Sequence, residues 1–199
     1  MTNVKSRLFK RGCEHVEKFC RVNSLRIPHV EEHPKSDWAF SECAYYRNNV
    51  IHICISSCAV PGHGGSSWSW PGGPIDRTPF GVLQHELGHH IDVLKSTPSS
   101  RDQYFGDFSR ILREATQEPP LTNYCPNDGE WFAEMFRLFA TNPSLLRMLR
   151  PWTYKHLLTD FTPITKRPWL SVLKKNKAPE RILKMVKNKI KKQEKTSIV

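Results

Sequence analysis

Apolar and polar positions recur along this chain with two different periods. Residues 4–23 mix basic and apolar positions at helical spacing, with Leu8, Val16 and Phe19 among the apolar ones. Residues 38–46, WAFSECAYY, read as a strand, and Arg47-Asn48-Asn49 supplies a turn into a second strand over 50–56. There Ile51, Ile53 and Ile55 alternate onto one face, with Val50, His52 and Cys54 on the other, so a hairpin is predicted. Residues 60–79 are rich in Gly, Pro and Ser and read as loop. The helical period returns at Pro79, with Thr78 as the cap, and runs to about residues 96–98. A second helix is expected over about 101–117, broken by EPPLTNYCPNDG. Asn127 or Asp128 is placed to cap a third over 130–141. Residues 144–160 read as helical, and APERILKMVKNKIKKQEK from Ala178 reads as a basic amphipathic helix. The pattern shows no internal repeat.

Composition narrows this picture. At 199 residues with 38% apolar content, the chain fits one cored domain with an appendage. No run approaches the roughly 20 apolar residues of a membrane span. The start, MTNVKSRLFKRGCEHVEKF, has basic residues without an apolar stretch, so no secretory signal is expected and a cytoplasmic location is. Six cysteines (Cys13, Cys20, Cys43, Cys54, Cys58, Cys125) are then expected as thiols rather than disulfides. Cys54-x-x-x-Cys58 with His52 and His63 nearby can be read as a zinc site. No second Cys pair follows at ligand spacing, which favours core or strand cysteines. The net charge of +11 is uneven. Residues 164–199 hold 12 Lys and Arg against 2 acids, while residues 1–163 hold 18 against 17. The boundaries expected are therefore a domain over 1–163 and a basic, partly helical or disordered tail over 164–199.

The candidate chemistry lies in the helix from Pro79, FGVLQHELGHHIDVL. His85 and His89 are four apart, on one face and one turn apart, so two imidazoles can grip one zinc ion from one side. Glu86 adjoins the first ligand, within reach of a proton on water that the metal activates. A third ligand must come from elsewhere, because Lys95 occupies the position six residues beyond His89. Asp92 is too near His89 to be a ligand and suits an outer position. His90 points away from the pair and reads as a surface or structural histidine. Glu114, Glu118, Glu130 and Glu134 are the next glutamates along the chain. In GEWFAEMFRLFATNP, Glu130 and Glu134 share one helix face among Trp131, Phe132, Phe136 and Phe139, with Ala133 between them. Ala133 and Gly88 are both small, which lets the two helices approach closely. Metal ligation is the expected use of this acidic pair, against the plainer reading of two solvated glutamates.

These residues resemble a family. His85-Glu86-Leu87-Gly88-His89, Asp92, Leu121-Thr122-Asn123-Tyr124 and Glu130-Trp131-Phe132-Ala133-Glu134 are similar to the protease domains of the anthrax lethal factor and Pro-Pro endopeptidase family. The resemblance covers roughly residues 50–145. It implies zinc held by His85, His89 and Glu130, catalytic assistance from Tyr124, and Glu134 as an outer partner of a ligand histidine. It also implies an α+β, zincin-like metallopeptidase domain. A small mixed sheet would set an edge strand against the His-Glu-x-x-His helix, and a helical half would carry the third ligand. This chain departs from the pattern in the link from Tyr124 to Glu130, which is one residue shorter and contains Cys125-Pro126.

The expected function is a zinc-dependent endopeptidase of the gluzincin type acting on a protein or peptide, with Glu86 as general base and Tyr124 as oxyanion donor. The strand over 50–56 is the expected edge for an extended substrate, and Trp68 and Trp70 are candidates to wall the cleft. Two alternatives differ in class. One is a nucleic-acid-associated protein whose basic tail, residues 164–199, binds nucleic acid or another anionic surface. That arrangement is similar to Spartan-type DNA–protein crosslink proteases, whose third ligand is a histidine. The other is a non-catalytic, zinc-stabilised binding module, in which Glu86 is dispensable.

Overall fold

The amphipathic start of the chain is helical in the structure, a computed structural model that describes residues 2–62, 69–97, 106–122, 125 and 127–196. Helix α1 (Thr2–Val22) buries Leu8, Val16, Phe19 and Cys20. Its partner is α2 (Pro79–Lys95), and Gly12 permits the approach, since a Cβ there would lie 2.5 Å from Leu83 Cδ1. Polar ties close the same seam: His15 Nδ1 lies 2.8 Å from Gln84 Oε1, and Gln84 Nε2 donates to the Gly12 carbonyl at 3.1 Å.

Three short strands, β1 (His29–Glu32), β2 (Ala44–Arg47) and β3 (Val50–Ile53), form one mixed sheet in the order β1-β3-β2. β2 and β3 are the predicted antiparallel hairpin. Asn48 and Asn49 turn it with φ of 51° and 66°, the left-handed pair that a two-residue hairpin turn needs. Ile51 and Ile53 face the core with no exposure. Several strand expectations are corrected. The first hairpin strand is four residues, not nine, because 35–37 form a short 3₁₀ turn and 38–43 are irregular. The second stops at Ile53, and Ile55 reaches the core from another 3₁₀ turn over 55–57. β3 is not an edge for substrate: β1 pairs with it in parallel and β2 in antiparallel, so both its sides are occupied. β1 was not expected, since HVEE carries a single apolar residue and no alternation.

The helical half is α3 (Phe108–Thr116), α4 (Asp128–Thr141), α5 (Pro143–Leu149), α6 (Pro151–Asp160), α7 (Trp169–Lys175) and α8 (Glu180–Thr196). Helix α3 starts later than predicted, and residues 101–105 of that expectation lie outside the described residues. The predicted 144–160 helix is two, because Arg150 precedes Pro151 and takes φ −146°, ψ 72°. Helix α4 supplies the centre of the core: Trp131, Phe132, Phe136 and Phe139 are fully buried, and Phe19 of α1 meets Phe136 edge-on at 5.2 Å. Residues 164–199, expected as an appendage, place Leu173, Ile182, Leu183 and Val186 in this same apolar cluster. Asn142 Nδ2 reaches the Trp169 carbonyl at 3.2 Å, and Asn176 Nδ2 the Pro71 carbonyl at 2.8 Å. Among the described residues no helix is long and apolar enough to cross a membrane.

Candidate metal centre

The first turn of α2 is pinned before its ligands begin. Thr78 caps the helix by accepting from the Gly81 N–H, and Pro79 takes the first position, where no donor is needed. Asp76 is buried below it, accepting from the Thr78 hydroxyl at 2.6 Å and from the Gly72 N–H at 3.0 Å. A Cβ at Gly81 would lie 2.1 Å from Asp76 Cγ, so the position requires glycine. On α4, Asn127 caps the helix by accepting from the Glu130 N–H at 2.8 Å. The two helices then close on each other at Gly88, where a Cβ would stand 2.6 Å from Ala133 Cα.

That contact brings three donors together. His85 Nε2 lies 3.0 Å from Glu130 Oε2, and His89 Nε2 lies 3.5 Å from Glu130 Oε1. One ligand atom from each of His85, His89 and Glu130 lies within 4.8 Å of the other two. His85 Nδ1 sits 2.9 Å from Glu134 Oε1, and a carboxylate only accepts, so Nδ1 carries the proton and Nε2 is turned toward Glu130. Two imidazoles and one carboxylate at these separations fit a borderline divalent transition ion.

Charge in this pocket is tightly balanced. Burial works against the His85 imidazolium, but Glu130 and Glu134 outweigh it and raise its pKa to about 10. Burial would raise Glu130, yet hydrogen bonds from His85 and His89 hold its carboxyl well below the usual carboxylate range. Glu134 is likewise pushed up by burial and drawn down further by Arg137 and His85, to about 2. Glu86 goes the other way: burial raises its carboxyl, and the charges of His85 and His89 offset only part of that. Its carboxylate accepts from the Tyr46 N–H of β2. Glu86, His85 and Glu134 line a cleft of about 300 Å³, as do Cys43, Ala44 and Arg77.

Arg137 was missed by the sequence reading. It is fully buried and grips both Glu134 oxygens, at 3.1 and 2.8 Å, while donating to the Gly73 and Pro74 carbonyls at 2.9 and 2.7 Å. The available signal was Glu134-x-x-Arg137, an acid and a base one turn apart within the otherwise apolar run over 131–140.

The remaining candidates separate cleanly. Asp92 accepts from the Ser109 N–H at 2.7 Å and the Gly106 N–H at 3.1 Å, so it anchors the entry to α3, and burial raises its carboxyl. His90 is buried and structural: Nε2 donates to the Arg26 carbonyl at 2.8 Å, leaving Nδ1 to accept from the Tyr46 hydroxyl. Glu114 is exposed and pairs with Arg110 at 3.0 Å, whereas Glu118 accepts from the Thr153 N–H at 2.8 Å. Trp70 is a core residue and does not wall the cleft, a correction that follows from its burial among apolar side chains. Cys54 and Cys58 belong to neither metal-competent group found among the described residues. Tyr124, His63 and Trp68 lie outside the described residues. Burial raises the Cys125 thiol, and the charges of Glu134 and Glu130 add to that. Comparison with protein-family models, curated proteins and solved structures finds no match for this chain.

Proposed function

We propose that this chain is a zinc-dependent endopeptidase whose ion is held by His85, His89 and Glu130. The observation that carries the reading is the buried Glu86, which lines an open cleft beside the three convergent donors. Donors alone would suit a structural site, but a buried acid on the cleft wall outside the donor set suits hydrolysis. When bound, zinc supplies a Lewis acid for the scissile carbonyl and for water.

The chain's own residues do the rest. Glu86 takes a proton from the attacking water as the oxygen adds to the carbonyl carbon. It returns the proton to the amine nitrogen as the C–N bond breaks. Burial makes Glu86 a stronger base than an exposed carboxylate. Glu134 keeps His85 Nε2 turned inward through Nδ1, and Arg137 holds Glu134 in place. Tyr124 is the oxyanion donor that the family resemblance implies. An extended substrate runs along residues 41–44 and into β2, the edge strand beside the cleft, in place of β3.

A cleavage profile of the tag-free, zinc-loaded chain on a peptide library tests the reading. Glu86→Gln is expected to retain zinc and lose roughly 10²–10⁴-fold in turnover. Hydrolysis at the unaltered rate in that variant rejects the general base. Tyr124→Phe is expected to lower turnover about a hundredfold with zinc content unchanged. A second reading adds a target to the same chemistry. Lys174, Lys175, Lys184 and Lys187 are exposed while Val172, Leu173, Ile182, Leu183 and Val186 are buried, which leaves a cationic face for nucleic acid. Binding to duplex DNA that weakens steeply with added salt would support it.

A further inference from the structure

We propose a second, exchangeable transition-metal site formed by Glu31, His33 and His52 on the sheet face that does not carry Ile51 and Ile53. The parallel register sets Glu31 directly beside His52, and the His33 N–H continues the ladder to the Ile53 carbonyl at 2.8 Å. Glu31 and His33 are two apart on β1 and its extension, so their side chains share one face with that of His52. His33 Nε2 and His52 Nδ1 are 3.0 Å apart. Glu31 Oε2 lies 3.5 Å from His52 Nδ1, and Oε1 lies 3.9 Å from His33 Nε2.

Those last two separations are ion-pair distances, while the two ring nitrogens hydrogen-bond each other. Glu31 therefore faces both ring nitrogens across a gap that a bound ion would bridge. A tetrahedral ion at about 2.0–2.1 Å from each donor separates its ligand atoms by roughly 3.4 Å. The three observed distances bracket that value, and the three atoms lie within 4.8 Å of one another.

The rings are also held before any ion arrives. Tyr45 stacks on His52 at 4.6 Å with 22° between planes, and Trp38 lies 5.5 Å from His33. Two imidazoles select the zinc, copper, nickel and cobalt class and disfavour calcium and magnesium, which take oxygen donors. Glu31 is 50% exposed, so the remaining coordination positions face solvent and the ion exchanges readily. Occupancy ties the edge strand β1 to the central strand β3.

Zinc counting by equilibrium dialysis of the tag-free full chain against a weak chelating buffer tests this site separately from the catalytic one. His33→Ala, His52→Ala and Glu31→Gln should each bind one zinc fewer than the unaltered chain, whatever the inner site holds. For Glu31→Gln the residual affinity should fall by more than the roughly 10–100-fold typical of losing an outer partner. Far-UV circular dichroism checks the fold. If either alanine variant unfolds, Glu31→Gln decides, because Glu31 is half exposed and the swap keeps its shape. An unchanged zinc count in Glu31→Gln, or in a folded His33→Ala or His52→Ala, overturns the three-residue site.

Discussion

His85, His89 and Glu130 on two helices and Glu31, His33 and His52 on two strands are the same donor set in two settings. The helical set is buried, with side chains 11%, 7% and 18% exposed, whereas Glu31 of the strand set is 50% exposed. Behind His85 stands Glu134, itself gripped by Arg137, and beside it stands Glu86 on the wall of a cleft. Around His33 and His52 stand aromatic rings. In the reading proposed above, the difference separates metal binding from metal chemistry. Three donors suffice to hold an ion, but hydrolysis also needs a base, an oriented ligand and a cavity for substrate.

Arg137→Met attacks the feature that only the helical set has. It leaves the fully enclosed end of Glu134 without its cation, and breaking such a buried pair costs about 3–5 kcal/mol. Denaturant unfolding of the metal-free chain should register that loss, and the zinc affinity of the inner site should fall with it. A change below about 1 kcal/mol would mean that Arg137 contributes only packing.

Glu134→Gln is gentler, because an amide still accepts from His85 Nδ1 while losing charge. Inner-site zinc affinity is expected to drop roughly 10–100-fold, with the strand set untouched. Equal weakening at both sites, in a competition assay with a chelator, would show that the two are coupled through the fold. The same variant should change acid stability. In the unaltered chain Glu134 is depressed to about 2, so its contribution is present above the unfolded value near 4.3 and is lost as pH falls toward 2. Removing the carboxylate should flatten the stability profile over that window.

The smallest effect expected is in protons. His85 is raised to about 10 in the metal-free chain, so at pH 8 it is protonated and must release about one proton when an ion takes Nε2. His52 is shifted the other way by burial, against Glu31 and with His33, Arg47 and His29, so it is already neutral at pH 8. Calorimetric titration in buffers of different ionisation enthalpy should therefore show proton release in the first binding step, and none from His52 in the second. Proton-free binding at the inner site would contradict the charge balance around His85.

Much of the inner site is legible in the linear order of residues, because helices carry local information. A four-residue spacing puts His85 over His89, Thr78-Pro79 starts their helix, and Asn127 caps the helix of Glu130. Even the close approach of the helices was readable from Gly88 and Ala133, since only small residues allow it. Arg137 was harder to read, as its partners Gly73 and Pro74 come from more than sixty residues away.

The strand site was not legible at all. HVEE has no apolar alternation, and its strand exists only because β3 offers it a parallel edge. Parallel pairing joins segments distant in sequence, so Glu31-x-His33 and His52 mean nothing until the register sets them side by side. The same holds for the basic end of the chain. Its charge count suggested an appendage, but Leu173, Ile182, Leu183 and Val186 find apolar partners in the common core. Charge is a property that counting residues reveals. Which face of an amphipathic helix is covered, and by what, depends on the shape of everything else, and here the tertiary structure decided it.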